Sequence, residues 1–123
     1  MRRRTAVRLG VLAALLCLAA PVAAQARDMY VTDTRGNLLR FDSRFPGVIT
    51  DRVAVTGLTP GATLVGIDFR PSTGQLVGVG SDSTVYVIDE NSGRAQAIGP
   101  PFSPGLTGNS FGVEVNPVLD QLR

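Results

Sequence analysis

The feature that most constrains this chain is an internal repeat. Gly66-Ile67-Asp68-Phe69-Arg70-Pro71-Ser72-Thr73-Gly74-Gln75-Leu76 aligns without gaps onto Gly112-Val113-Glu114-Val115-Asn116-Pro117-Val118-Leu119-Asp120-Gln121-Leu122, at an offset of 46 residues. Gly, Pro, Gln and Leu are identical between the copies, and Ile/Val, Asp/Glu and Phe/Val agree in kind. A second match joins Met29–Asp42 to Leu76–Asp89 at an offset of 47, placing Leu38, Phe41 and Asp42 on Val85, Ile88 and Asp89. The upstream connections Gly57-Leu58-Thr59 and Gly105-Leu106-Thr107 echo each other too. Two matches with nearly one period describe a supersecondary unit used more than once. Such a unit buries its apolar face only by stacking on its neighbours.

The unit is made of strands. After Arg27 no window carries apolar residues at helical spacing over three turns. Short runs of Val, Ile, Leu, Tyr and Phe recur instead, bounded by Gly, Pro, Asn and Asp. Strands are predicted near 29–33, 37–42, 48–55, 64–69, 75–79, 84–89, 94–98 and 111–115, with another opening at Gln121. Pro71-Ser72-Thr73-Gly74 sets a turn by placing Pro where φ is near −65° and Gly where φ is positive. Thr34-Arg35-Gly36-Asn37 and Asp89-Glu90-Asn91-Ser92-Gly93 do the same for other hairpins. Within 64–69, alternation predicts Val65, Ile67 and Phe69 on one face, Gly66 and Asp68 on the other.

Short strands joined by tight turns make antiparallel sheet, so the fold class is all-β. A four-stranded unit (64–69, 75–79, 84–89, 94–98) recurring about every 46 residues is the pattern of β-propeller blades. Gly99–Ser110, with Pro100, Pro101 and Pro104, is expected to connect one blade to the next. Residues 28–123 are therefore expected to form a partial, β-propeller-like domain of about two blade units, the last incomplete. Propellers run to about four blades or more. Missing blades or an oligomer are thus needed to cover the sheet edges, and a truncated N-terminal portion of a longer protein is the expectation.

An export signal precedes the repeat. Arg2, Arg3, Arg4 and Arg8 form a cationic start without an acid, and Leu9–Ala20 is an apolar run interrupted only by Gly10. Pro21 then precedes two small-residue cleavage patterns, Val22-Ala23-Ala24 and Ala24-Gln25-Ala26. This is the three-part layout of a secretory signal over residues 1–24, with cleavage after Ala26 as the alternative. A 12-residue run is short of the roughly 20 residues a membrane-spanning helix needs, so no stable span is expected after cleavage. Leu16 before Cys17 argues against a lipid-anchored cysteine, which wants a small residue there. The expected location is periplasmic or extracellular.

Removing the signal inverts the charge. The whole chain carries 12 Arg, no Lys and 10 acids, for a net +2. Four of those Arg lie in the signal and no acid does, so the remainder is net −2 and loses the electrostatic basis for nucleic-acid binding. The chain has no His and a single Cys, Cys17, inside the signal. That removes Ser-His-Asp and Cys-His nucleophiles, histidine-ligated zinc and any intramolecular disulfide.

The segment from Gly57-Leu58 through Leu64-Val65-Gly66-Ile67-Asp68-Phe69-Arg70-Pro71-Ser72-Thr73-Gly74-Gln75-Leu76 resembles the bacterial domain of unknown function 4394. The resemblance runs on through Val85-Tyr86-Val87-Ile88-Asp89, Ala97-Ile98-Gly99-Pro100-Pro101-Phe102 and Phe111-Gly112-Val113-Glu114-Val115-Asn116-Pro117. It begins near Tyr30. It implies a secreted, propeller-like fold whose members continue past the position of Leu122-Arg123, and it implies no activity and no catalytic residues.

Asp68 and Glu114 are the candidate site residues. They hold equivalent places in two first strands, each two residues after a Gly, where carboxylates could converge on a channel and bind a cation or polar ligand. The competing reading is structural, with each accepting hydrogen bonds from a neighbouring loop or pairing with an Arg such as Arg70. Asp89–Gly93 lacks the ligands of a calcium loop and has Pro100 at the twelfth position, so it reads as a hairpin turn. Gly78-Val79-Gly80 is no dinucleotide motif, because no helix follows. Asp33 with Asn37 and Asp82 with Ser83 read as turn residues, and Tyr30, Phe41 and Tyr86 as core. No cofactor is expected. Two functions compete: a non-catalytic binding or scaffold module that holds an unidentified protein or polar ligand at its loops, and a metal-dependent hydrolase or lactonase-like enzyme completed by further blades.

Overall fold

A computed structural model describes residues 25–123. The expected signal, residues 1–24, lies outside the described residues. The described residues form nine strands and no helix: β1 (Asp28–Thr32), β2 (Asn37–Asp42), β3 (Ile49–Ala54), β4 (Leu64–Arg70), β5 (Gln75–Gly80), β6 (Val85–Ile88), β7 (Ala95–Ala97), β8 (Val115–Asn116) and β9 (Gln121–Leu122). They form three antiparallel sheets ordered β1-β2-β3, β4-β5-β6-β7 and β8-β9. The all-β expectation holds. Among the described residues the sheets do not close on one another.

The repeat is visible as shared register. Met29 pairs with Phe41 across β1 and β2, and Thr32 with Leu38. Forty-seven residues on, Leu76 pairs with Ile88 and Val79 with Val85 across β5 and β6. The first sheet thus supplies the second, third and fourth strands of a unit whose first strand is β4 in the next sheet. The other match is equally close: Phe69 pairs with Leu76 and Arg70 with Gln75, as Val115 pairs with Leu122 and Asn116 with Gln121. Both of these hairpins turn through a left-handed residue at the same place, Gly74 at φ 72° and Asp120 at φ 52°. Each donates its N–H to the carbonyl four residues back, at 2.7 Å to Arg70 and 2.8 Å to Asn116. Glycine enters that conformation without steric cost, and Asp is one of the few side chains that tolerates it.

The two larger sheets pack face to face. Leu38 of the first sheet is buried with Leu76, Tyr86, Ile88 and Ala95 of the second. Tyr30, Val53, Leu64, Ile67 and Phe69 pack around them, and the Tyr30 and Phe69 rings meet edge to face at 5.4 Å. Edge-to-face contact is a favourable geometry for aromatic quadrupoles. On the opposite side of the second sheet, Val77 and Val79 are buried, as is Val115 of the third.

Two expectations need correction. Register slips between Leu64 and Gly66, so Leu64 rather than Val65 joins Ile67 and Phe69 on the core face. Val65 lines the other side with Val79 and Val113. A period-two pattern cannot register a bulge, which moves side chains across the sheet beyond it. The strand expected over 111–115 is confined to Val115–Asn116, because pairing in a ladder needs a partner and among the described residues Gln121–Arg123 alone supplies it.

Candidate functional site

The two candidate carboxylates lie at the seam between the second and third sheets. Asp68 sits on β4, half-buried, with its side chain on the face opposite the main core. Its Oδ2 accepts the N–H of Val115 at 2.7 Å, and its Oδ1 accepts the N–H of Phe69 at 2.8 Å. A carboxylate on two backbone donors makes charge-assisted bonds, stronger than those between neutral groups. The space is made by a glycine: a Cβ on Gly66 would overlap the Val113 side chain, so the two first strands approach over that position.

Glu114, the repeat equivalent of Asp68, is exposed. Its backbone exchanges hydrogen bonds with Arg123 at 3.0 and 2.7 Å, which extends the β8–β9 ladder by one pair. A Cβ on Gly112, the equivalent of Gly66, meets nothing within 4 Å. The structure therefore brings Asp68 to the backbone beside Glu114 and engages the two carboxylates differently. Among the described residues no three His, Cys, Asp or Glu side chains stand close enough to share a metal ion.

Arg70 does not pair with Asp68. Its guanidinium reaches across the seam to Asp120, with Nε 2.9 Å from Oδ1 and Nη2 on Oδ2, while Ser72 Oγ donates to the same carboxylate at 2.9 Å. The Arg70 hydrogen bonds, then that of Ser72, hold the Asp120 carboxyl below the ordinary aspartate value. The turn of one repeat is thus clasped by the turn of the next. The pair is partly exposed, so its energetic weight is modest and its effect is to fix geometry.

A second polar group sits at the other end of the sheet. Tyr86 is buried, and its hydroxyl donates to Asp82 Oδ2 at 2.9 Å, receives the Thr59 N–H at 3.1 Å and lies 2.9 Å from Thr59 Oγ1. Burial pushes the Asp82 carboxyl up, but hydrogen bonds from Thr59, Tyr86 and Thr84 outweigh it and the net shift is downward. Ser83, buried and left-handed at φ 63°, accepts the Leu106 N–H on Oγ at 2.8 Å and the Phe102 N–H on its carbonyl at 2.9 Å. Thr59 and Leu106 belong to the two echoing Gly-Leu-Thr segments, so each connection is tied back to the second sheet. Sequence reasoning placed Asp82 and Ser83 in a turn and missed that they anchor loops. The echo of Gly57-Leu58-Thr59 in Gly105-Leu106-Thr107 was the signal for it.

Three further aspartates serve turns. Asp33 Oδ1 accepts from the Arg35 and Asn37 N–H groups, each at 2.9 Å, and Asp42 Oδ1 from Arg44 at 2.8 Å. Asp89 Oδ1 accepts from the Asn91 and Ser92 N–H groups at 3.0 and 2.8 Å, closing the hairpin that sequence favoured over a calcium loop. Near Asp33, a cleft of about 630 Å³ opens between the β1–β2 turn and the segment leading into β4; Arg35, Leu58 and Thr63 line it. No helix among the described residues is long and apolar enough to cross a membrane.

Antiparallel sheets without a helix among the described residues, one hairpin register repeated, and a carboxylate-to-backbone bond across the seam define an all-β repeat protein. The chain belongs to the family described as Domain of unknown function (DUF4394), whose sequence profile matches residues 37–123. No curated protein and no solved structure matches the chain.

Proposed function

We propose that this chain is an exported, β-propeller-like module that binds or scaffolds a partner in the cell envelope or outside the cell, without chemistry of its own. The observation that carries this reading is the shared register of the two units, with successive first strands side by side at Asp68–Val115. Radial stacking of identical four-stranded sheets is the arrangement in which first strands become neighbours. It gathers turns and connections at common rims, where binding loops sit on a rigid frame. The cleft beside Asp33 and Arg35 lies at such a rim and mixes polar with apolar lining, as sites for polar ligands or protein segments do. The non-catalytic reading draws support from the use of Asp33, Asp42, Asp68, Asp82, Asp89 and Asp120 in bracing backbone and loops. Export draws support from Arg2–Arg4, the Leu9–Ala20 run and the small residues after Pro21.

Expressing the full chain in a bacterial host, alongside a Leu15→Arg variant, tests export. The wild-type protein is expected outside the cytoplasm with Gln25 or Arg27 at its N-terminus, and the variant inside with the signal retained. Wild-type protein kept in the cytoplasm with residues 1–24 attached would overturn export. Calorimetry with Ca²⁺ tests the absence of a metal site: the wild type and an Asp68→Asn/Glu114→Gln double variant are expected to give the same trace. A binding heat lost in the double variant would favour the metal-dependent hydrolase instead.

A further inference from the structure

We infer that the cleft beside Arg35 takes a monoanion with an apolar body, a carboxylate carried on an aliphatic chain. This rests on the binding-module reading above and gives it a site and a ligand class. The turns at 33–36 and 80–83 are built alike. Asp33 N–H donates to the Asn37 carbonyl at 3.0 Å, as Gly80 N–H does to Thr84 at 2.8 Å. Gly36 and Ser83 are both left-handed, at φ 80° and 63°, and their carbonyls accept the Val55 and Phe102 N–H groups, each at 2.9 Å. There the two turns part. Ser83 Oγ also accepts the Leu106 N–H at 2.8 Å, which fastens the 99–110 connection onto its turn. Gly36 has no hydroxyl to do this, and a Cβ built on it meets nothing within 4 Å. The connection that follows β3 is fastened to the second sheet instead, where Thr59 N–H donates to Tyr86 Oη at 3.1 Å. It therefore stands off the first turn, and the cleft of about 630 Å³ lies between them. That volume is ample for a small molecule.

The lining sets the chemistry. Val55, Leu58 and Leu64 give the cleft an apolar side that continues the main core. Thr34, Thr63 and Arg35 supply its polar side. By the 47-residue offset Arg35 stands where the second turn has Asp82, so the charge at this place is reversed. Asp82 is spent on Tyr86 and Thr84, whereas the Arg35 guanidinium makes no ion pair among the described residues. Asp33, the acid beside it, accepts the Arg35 and Asn37 N–H groups and stands 3.7 Å from Arg52. Arg35, Arg52 and Asp33 together leave one positive charge. One carboxylate neutralises it, and a dianion exceeds it. A guanidinium holds a carboxylate through two parallel N–H bonds, and a threonine hydroxyl can donate to a lone pair left over. An aliphatic chain on that carboxylate would cover the apolar side and leave water with it.

Calorimetric titration of the full chain, purified as its host processes it, tests this with octanoate, octanamide and inorganic phosphate. Octanoate is expected to bind, octanamide to bind about tenfold more weakly or worse, and phosphate to give no heat. Arg35→Gln is expected to weaken octanoate by about tenfold or more and to leave octanamide unchanged. Arg94→Gln, at an exposed arginine beside the Asp89–Gly93 turn, is expected to change neither. In amide NMR spectra, octanoate is expected to shift Gly36, Leu58 and Thr63 while Ser83 and Leu106 stay in place. A wild type that binds no octanoate, or holds octanamide or phosphate as tightly, would overturn the proposal. So would octanoate binding that survives Arg35→Gln intact, or shifts centred on Leu106. These failures strike the cleft and its ligand alone. The binding-module reading fails separately, through the export and Ca²⁺ experiments.

Discussion

At the residue scale, repeat equivalence does not mean equal roles. Gly66 is needed because Val113 occupies the space its Cβ would take, and the clash involves the branched Cβ of Val113 as well as its methyl end. Gly66→Ala is therefore expected to destabilise the fold by about 1–3 kcal/mol, the usual cost of overpacking, while Gly112→Ala leaves the urea midpoint of the single chain unchanged. Similar losses for both would contradict the seam. Asp68→Ala strips an acceptor from the Val115 N–H and is expected to cost about 1–3 kcal/mol by the same measurement. Asp68 was legible as a candidate because Asp and Glu recur two residues after a repeated Gly. Its engagement with the next repeat was not, since a one-dimensional pattern cannot say which of two acids faces a neighbour.

At the scale of elements, hairpins were legible and what joins them was not. The strands end where turn chemistry says, because Gly74, Gly36 and Gly93 adopt positive φ at the turns where sequence placed them. The bulge at Leu64–Gly66 escaped, as any slip does that leaves hydrophobic composition unchanged. The Arg70–Asp120 clasp spans 50 residues, beyond local pattern, although the repeat already set Asp120 on Gly74. The connections supply a test. Ser83→Ala deletes the acceptor for the Leu106 N–H, so amide exchange at Leu106 is expected to accelerate several-fold while Tyr86 and Ile88 stay protected. Uniform acceleration across the second sheet would mean that Ser83 supports the fold as a whole rather than the 99–110 connection.

At the scale of the molecule, charge sets the response to acid. Asp33, Asp42, Asp89 and Asp120 are held below the ordinary aspartate value chiefly by hydrogen bonds from Asn37, Arg44, Ser92 and Arg70 respectively, and Asp82 by bonds that outweigh its burial. A carboxyl depressed in the folded state binds fewer protons than in the unfolded chain. Its contribution is full above the unfolded value near 3.9 and is lost as pH falls through the folded one. With no His in the chain, the thermal midpoint is expected to stay level between about pH 6 and 8 and to drop below about pH 4. A fall centred near pH 6.5 would contradict this assignment. The stacking of whole sheets was legible from the repeat, because a unit with an apolar face and a fixed period must be covered by its neighbour.

Successive repeats stack with their first strands side by side. Nuclear Overhauser spectra of the folded chain measure this most directly, through contacts that no single hairpin can make. Cross-peaks are expected from the Gly66 α-protons to the Val113 methyls and between the Tyr30 and Phe69 rings. Absence of the Gly66–Val113 contact in a chain whose hairpins are otherwise formed would contradict it.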